Sequence, residues 1–389
     1  MINRKASETV LRLSRGYPVV AITGPRQSGK TTLARSVFPG KPYVSLEDPD
    51  ARLFAESDPR AFLARFPDGA ILDEVQRCPD LFSYIQTIVD LDGRVGLYVL
   101  TGSQQFGLLS NITQSLAGRV GLVQLLPFSS GELVDAGKAP VTIEDAIYSG
   151  SYPPLYDREV QPADWYPGYV LTYVERDLRQ LVNVRDLKSF QLFLRMCAAR
   201  TGQLVNLSSL ANDCGITHNT AKAWLSVLEA SYLIFFLQPH YRNFNKRMTK
   251  SPKLYFYDTG LVSWLLGIYE SSQVTIHAMR GALFETWVVS ELLKGRLNRG
   301  LTSNLYFWRD SAGNEVDVVA EVGEQLFPIE IKSGKTITSD YFNALRKWQH
   351  LVGPASGPAR LVYGGDDSQA RTNTHVVSWK EIAELAETV

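Results

Sequence analysis

Residues Gly24-Pro25-Arg26-Gln27-Ser28-Gly29-Lys30-Thr31 fit the pattern G-x-x-x-x-G-K-[ST], and few other short patterns restrict a fold as much. The apolar run Tyr17-Pro18-Val19-Val20-Ala21-Ile22 before it reads as a buried strand. Thr31-Thr32-Leu33-Ala34-Arg35-Ser36-Val37 after it reads as a helix. Strand, loop and helix in that order gather backbone N–H groups and a helix N-terminus around one point, where their partial positive charge binds phosphate. The candidate nucleotide-binding residues are Gly24, Pro25, Arg26, Gln27, Ser28, Gly29, Lys30, Thr31 and Thr32. Lys30 is expected to reach the β and γ phosphates of ATP and the Thr31 hydroxyl to ligate Mg²⁺.

Binding becomes hydrolysis only with a second set of groups. Phe66-Pro67-Asp68-Gly69-Ala70-Ile71-Leu72-Asp73-Glu74 is a short apolar strand ending in two carboxylates. Asp73 is placed to hold Mg²⁺, and Glu74 to orient and deprotonate the attacking water. Another strand, 95–100, leads into Thr101-Gly102-Ser103-Gln104. Ligands gather at strand C-terminal ends in open α/β sheets, so Ser103, and after it Gln104, reads either as a γ-phosphate contact or as a simple cap. Strands near 43–46 and 121–126 complete a parallel sheet covered by helices. Arg119, just before the last of these, reads either as a residue offered to a neighbouring subunit's site or as a surface arginine.

A chain of 389 residues has room for two or three domains. Forty basic and forty acidic side chains balance, which excludes a uniformly basic coat but permits a local basic patch. Cys78, Cys197 and Cys214 stand far apart with no C-x-x-C, against a sulfur-rich zinc site or a disulfide framework. No apolar run approaches the ~20 residues of a membrane span, and the N-terminus lacks a leader's apolar core. The expected compartment is the cytoplasm, with no membrane partner.

The segments 24–33, Leu72-Asp73-Glu74-Val75-Gln76, Leu100-Thr101-Gly102-Ser103 and Ser115-Leu116-Ala117-Gly118-Arg119 resemble a bacterial and archaeal family of AAA-like ATPases. Members of that family carry a C-terminal region catalogued as a domain of unknown function. The resemblance continues through Pro127-Phe128-Ser129, Glu132-Leu133, Tyr173-Val174-Glu175-Arg176-Asp177-Leu178 and 252–261. It covers almost the whole chain and implies the fold more strongly than the biological role.

Pro127 to Pro167 is rich in Pro, Gly and aromatic residues and reads as a connector with short helices; a helix over 169–181 follows. Arg176 there reads as a lid contribution to the nucleotide site or as part of a surface ion-pair cluster. From Leu207 the pattern is helix-turn-helix. Ala211 permits a close crossing, Gly215 suits a positive-φ turn, Ile216 fills the corner and Thr217 caps the second helix. Ala221, Trp224, Leu225 and Leu228 form its buried stripe, leaving His218, Asn219 and Lys222 outward, where a recognition helix reads a groove. Between strands at 232–237 and 254–257 lies a basic stretch with Arg242, Lys246, Arg247 and Lys250, resembling the wing of a winged helix. DNA is the expected partner, by phosphate contacts, although winged helices also bind proteins.

The last third alternates. Glu315 and Asp317 share one face of a strand, while in Phe327-Pro328-Ile329-Glu330-Ile331-Lys332 the residues Glu330 and Lys332 share the face opposite Ile329 and Ile331. Glu285 lies on the apolar face of a helix over 281–294 with Val288, Val289 and Leu292, and so needs a partner. Glu285, Asp317, Glu330 and Lys332 together resemble the core of the PD-(D/E)XK nuclease superfamily. That resemblance implies Mg²⁺-dependent phosphodiester cleavage, or else a nuclease-like domain that only binds. The expected fold class is α/β: a P-loop AAA-like domain at 1–135, a helical connector at 136–188, a winged helix at 189–262 and a nuclease-like α/β domain at 263–389. ATP-driven engagement of DNA is the leading expectation, with homo-oligomer formation if Arg119 acts in trans. The alternatives are a nucleotide-dependent switch for a protein partner, or an ATPase with an active metal-dependent nuclease.

Overall fold

Strand β1 (Val19–Thr23) is buried at all five positions, as a parallel strand covered on both faces must be. It lies at the heart of a five-stranded parallel sheet with β2 (Tyr43–Ser45), β3 (Ile71–Asp73), β4 (Tyr98–Gly102) and β5 (Val120–Gln124), in the order β2-β3-β4-β1-β5. The side-chain period of two sends Val20 and Ile22 to one face with Ala6, Val10 and Leu33. Val19 and Ala21 go to the other, with Phe62, Phe82 and Ile85. Because the strands run parallel, the loops that follow β1, β3 and β4 open on one edge of the sheet. The expected parallel sheet of the first domain is therefore present.

The computed structural model describes residues 2–103, 115–158, 160–174, 187–240 and 251–389. These fall into two units, Met1–Phe128 with Ala230–Tyr232 and Leu297–Leu301, and Ser129–Glu229 with Leu233–Arg296 and Thr302–Val389. Among the described residues no helix is long and apolar enough to cross a membrane.

The second unit is organised on a nine-stranded sheet. Its strands are β6 (Gln203–Leu204), β7 (Ile234–Pro239), β8 (Lys253–Phe256), β9 (Leu305–Arg309), β10 (Glu315–Val322), β11 (Gln325–Lys332), β12 (Ala359–Tyr363), β13 (Gln369–Arg371) and β14 (Thr374–Ser378). Their order is β13-β14-β12-β11-β10-β9-β7-β8-β6. The segments expected as 189–262 and 263–389 thus contribute strands to one sheet, joined where β7 and β9 pair in parallel through Gln238 and Tyr306. The helices Leu207–Asp213 and His218–Ala230 are capped by Asn206 and Thr217, whose side-chain oxygens accept from the Ser209 and Thr220 amides at 3.0 and 3.1 Å. Gly215 between them has φ 65°. Ala221, Trp224, Leu225 and Leu228 are buried, and His218, Asn219 and Lys222 are exposed. Beyond β9, Trp348 of the helix Asn343–Val352 packs fully buried against Trp308, ring centroids 5.2 Å apart.

Glu330 on β11 is 6% exposed, as is Ile331 on the opposite face, whereas the Lys332 side chain on the same face as Glu330 is 32% exposed.

The stretch 252–261 is the best example of a family resemblance with a packing cause. Asp258, buried, caps the helix Thr259–Leu265 by accepting from Leu261 N at 2.9 Å. It also accepts from Ser151 N at 2.7 Å, Ser151 Oγ at 3.1 Å and Tyr166 Oη at 2.7 Å. Gly150, at φ 66°, stands so close that a Cβ there would meet Tyr166 Oη at 2.2 Å. Tyr166 belongs to the helix Pro162–Tyr169, which runs into a wider π-helical turn over Val170–Val174. The rest of the helix expected over 169–181, Arg176 included, lies outside the described residues. Asp258→Ala leaves Leu261 N, Ser151 N and Ser151 Oγ without their acceptor, while Tyr166 Oη keeps Ser149 O at 2.9 Å, and is expected to destabilise the protein by about 3 kcal/mol. Urea unfolding reads this directly, and an unchanged midpoint would remove Asp258 from the role.

Candidate functional site

Gly24 leaves β1 at φ 147°, with its Cα so close to the next strand end that a Cβ would lie 2.1 Å from Leu125 O. Gly29 turns the chain at φ 91° into the helix Lys30–Val37. Only glycine allows both. The loop between them is braced from below by Arg4, whose guanidinium donates to Ser28 O at 2.7 Å and Leu126 O at 2.6 Å and lies over the Phe128 ring. Lys30 is buried and folds back, donating to Gly24 O at 3.0 Å and Pro25 O at 2.8 Å. Burial pulls its pKa from 10.5 to about 8, against the opposing pull of Glu74 and Asp73. Ser28 Oγ, also buried, has no hydrogen-bond partner among the described residues.

At the end of β3, Asp73 is 8% exposed and is held by three hydroxyls. Thr31 Oγ1 donates to its Oδ1 at 2.9 Å, Tyr43 Oη to its Oδ2 at 2.8 Å, and Thr101 makes a further short bond to Oδ1. Burial and the Asp73 carboxylate push the Tyr43 phenol up to about 12, so it stays a donor throughout the physiological range. Glu74 adopts a left-handed backbone, φ 54°, uncommon for a residue with a side chain and often associated with functional loops. Ser103 Oγ donates to its Oε2 at 3.0 Å, and Gln76 makes a short bond to the same oxygen. Lys30, Thr31, Asp73, Glu74 and Ser103 thus meet on the edge of the sheet where β1, β3 and β4 end. Ser103 touches the neighbouring carboxylate in this arrangement, and Gln104 lies outside the described residues.

The loop's buried lysine, its orphaned serine hydroxyl and its glycine-shaped backbone suit a phosphate chain. One hydroxyl and one carboxylate, Thr31 and Asp73, suit Mg²⁺ that draws its other ligands from phosphate and water. Arg26 extends over the rim in an ion pair with Glu47 at 3.1 Å. Arg119 is elsewhere. It precedes β5 at the opposite edge of the parallel sheet from the loop of its own chain, and its Nη2 donates to Asp90 Oδ2 at 2.9 Å. The chain's own fold does not bring Arg119 to Lys30. Arg242, Lys246, Arg247 and Lys250 lie outside the described residues.

Four contributors escaped the sequence reading. Arg4, Tyr43 and Thr101 support the loop and Asp73 from separate segments; Thr101 stands in a segment the sequence reading singled out, but only for Ser103 and Gln104. The fourth, Tyr232, has a positive φ of 56° and hydrogen-bonds to Thr23 Oγ1, one residue before Gly24, at 2.8 Å.

The C-terminal acids do assemble. Asp317 Oδ2 accepts from Ile331 N at 2.8 Å, and Lys332 Nζ lies 2.5 Å from Glu330 Oε1 and 3.8 Å from Asp317 Oδ2. Burial and then Asp317 push the Glu330 carboxyl up to about 8. Glu285 accepts from Tyr255 Oη at 2.5 Å and from Lys253 Nζ at 3.0 Å. Lys253, missed in the sequence because it opens β8 far from the motif, also lies 2.5 Å from Glu315 Oε1. Burial works against its charge, but Glu285, Asp317 and Glu315 outweigh it and hold its pKa above the usual lysine range.

Lys30 gives a prediction whose sign is fixed by its lowered pKa. Below about pH 8 the ammonium is present in folded and unfolded chains alike, and the folded chain bears the whole cost of burying it. Raising the pH toward 10.5 removes that cost, because the folded form releases its proton first. Lys30→Met is therefore expected to be more stable than the parent at pH 7 without nucleotide, by up to about 3 kcal/mol. The gap should narrow toward pH 10. Thermal melts at both pH values test this, and a variant less stable than the parent at pH 7 contradicts it.

Comparison with known proteins agrees with this geometry. Residues 16–134 match an AAA domain, and residues 141–272 and 280–382 match two domains of unknown function, DUF8612 and DUF4143. Among solved structures, the chain is similar to the Walker-type ATPase PABY2304 of Pyrococcus abyssi (17% identity, 68% of this chain and 96% of that one, TM-score 0.47). It is similar also to the RuvB Holliday junction branch migration motor of Thermotoga maritima (18% identity, 60% and 89%, TM-score 0.29). Those structural likenesses are too loose to carry anything further. Two uncharacterised proteins, Rv2008c of Mycobacterium tuberculosis and Mb2031c of Mycobacterium bovis, are each 34% identical over 371 residues, spanning 93% of this chain and 80% of the relative. With its P-loop sheet and its AAA domain match, the chain belongs to the family of AAA-like P-loop proteins that includes these mycobacterial relatives.

Proposed function

We propose that this protein is a Mg²⁺-dependent ATP hydrolase whose C-terminal half engages DNA through a winged helix and a nuclease-like domain. The observation that carries the hydrolase reading is the convergence of Thr31 and Asp73, 2.9 Å apart, beside Glu74 and Lys30. Bound Mg²⁺ would neutralise charge on the β and γ phosphates. Lys30 would exchange its two loop carbonyls for phosphate oxygens. Asp73, bound by hydroxyl donors, would hold the metal with Thr31. Glu74, turned inward by its left-handed backbone and held by Ser103, would orient the attacking water and take its proton.

The DNA reading is supported by the order helix, β6, helix, helix, β7, β8, with β8 between β6 and β7, which suits a winged helix. His218, Asn219 and Lys222 at the exposed start of its last helix suit groove contacts. The strands β9 to β12, flanked by helices, suit the nuclease-like expectation.

A second reading has its own support. Lys30 satisfied by its own loop and Glu74 held by two side chains describe a resting site. Such a site suits a slow nucleotide-dependent switch for a protein partner.

Turnover assays separate these. Lys30→Ala is expected to abolish hydrolysis, and Glu74→Gln to lower kcat by roughly 10²–10⁴-fold while leaving nucleotide affinity near that of the parent. Duplex, single-stranded or branched DNA at low salt should stimulate the parent, with binding that weakens steeply as salt rises. Hydrolysis unchanged in Lys30→Ala refutes the site assignment. Absence of both DNA binding and stimulation at low salt refutes the DNA reading and leaves the switch.

A further inference from the structure

We infer that the ammonium of Lys253 is the resident cation of the carboxylate cluster in the second unit, keeping Glu285, Glu315 and Asp317 together in place of a divalent metal ion. This goes beyond the proposed function and holds whether or not the chain engages DNA.

Lys253 Nζ lies 3.0 Å from Glu285 Oε1 and 2.5 Å from Glu315 Oε1, so it joins the acid on the helix Arg280–Asn298 to the acid on β10. Its side chain is 4% exposed, and the Phe307 ring lies beneath the ammonium at 5.6 Å. An ammonium so enclosed persists only with charged partners, and here it has them. The remaining acids are engaged as well. Glu315 Oε2 faces Arg309 at 3.3 Å, Asp317 Oδ2 takes the Ile331 amide, and Glu330 Oε1 takes Lys332.

A divalent ion does not fit this arrangement. Mg²⁺ asks for near-octahedral oxygen ligands at roughly 2.0–2.1 Å. Among the described residues no group of three His, Cys, Asp or Glu side chains is disposed to hold a metal. Glu330 Oε2 is the cluster's one buried oxygen without a hydrogen-bond partner among the described residues, and one oxygen is not a coordination shell. To enter between Glu285 and Glu315 a metal would have to expel a buried ammonium from two charge-assisted bonds. Lys253 also opens β8, so the same side chain fastens that strand to the helix and to β10.

The test uses the full chain without nucleotide, so that it is independent of hydrolysis. The parent's thermal midpoint is expected to be the same in EDTA and in millimolar MnCl₂. Lys253→Arg, which keeps the charge, should behave like the parent. Lys253→Met should melt lower and regain stability with Mn²⁺, because the acids it leaves unpaired then accept a metal. A parent midpoint that rises with Mn²⁺, with the rise lost in Asp317→Asn, would overturn the inference; so would a Lys253→Met variant that melts like the parent. If Lys253→Met does not fold, the parent and Asp317→Asn compared in Mn²⁺ still decide.

Discussion

Asp73 sits almost buried at the end of β3, and the polar groups of this site are arranged around it. Water cannot solvate it there, so Thr31, Tyr43 and Thr101 do so with their hydroxyls. One of these donors comes from the loop's own helix, one from β2 and one from β4. The sheet order β2-β3-β4-β1-β5 is what lets two strand neighbours of β3 and the helix after β1 reach the same carboxylate. A hydroxyl donates to the carboxylate without adding a charge of its own, whereas a lysine in its place would add one.

The same reasoning explains the bracing of the loop. Gly24 and Gly29 give the loop its path, but glycine also makes a chain loose. Arg4 restores stiffness from outside the motif by holding the Ser28 carbonyl, and Tyr232 holds Thr23 just upstream. Both are buried; Arg4 acts on backbone carbonyls and Tyr232 on the Thr23 hydroxyl.

What could be read in the sequence divides along this line. The loop, the Asp73-Glu74 pair and the strand leading to Ser103 were legible, because each is contiguous and its residue types follow from its chemistry. The cap at Thr217 and the buried stripe through Trp224 were legible for a similar reason, since a helix writes its faces at a fixed period. Arg4, Tyr43, Thr101 and Lys253 were not. Each takes its role only through partners between 24 and 122 positions away, brought close by strand pairing or helix packing. Glu330 shows the converse. Its alternation with Ile329 and Ile331 was visible, but alternation does not distinguish water from a polar interior, and Glu330 is 6% exposed.

The two polar centres of the chain are therefore built on different terms. In the first, Lys30 rests on two neutral carbonyls. Exchanging them for charged phosphate oxygens, as the proposed function requires, would add ion pairing to bonds the ammonium already makes. In the second, Lys253 and Lys332 rest on carboxylates. Removing the Lys253 ammonium leaves unpaired buried charge, which costs several kcal/mol, about 3–5 for a broken buried pair. A lysine held by dipoles is ready to bind something else. One held by buried anions is already bound, and its cluster belongs to the framework of the fold rather than to its exchangeable surface.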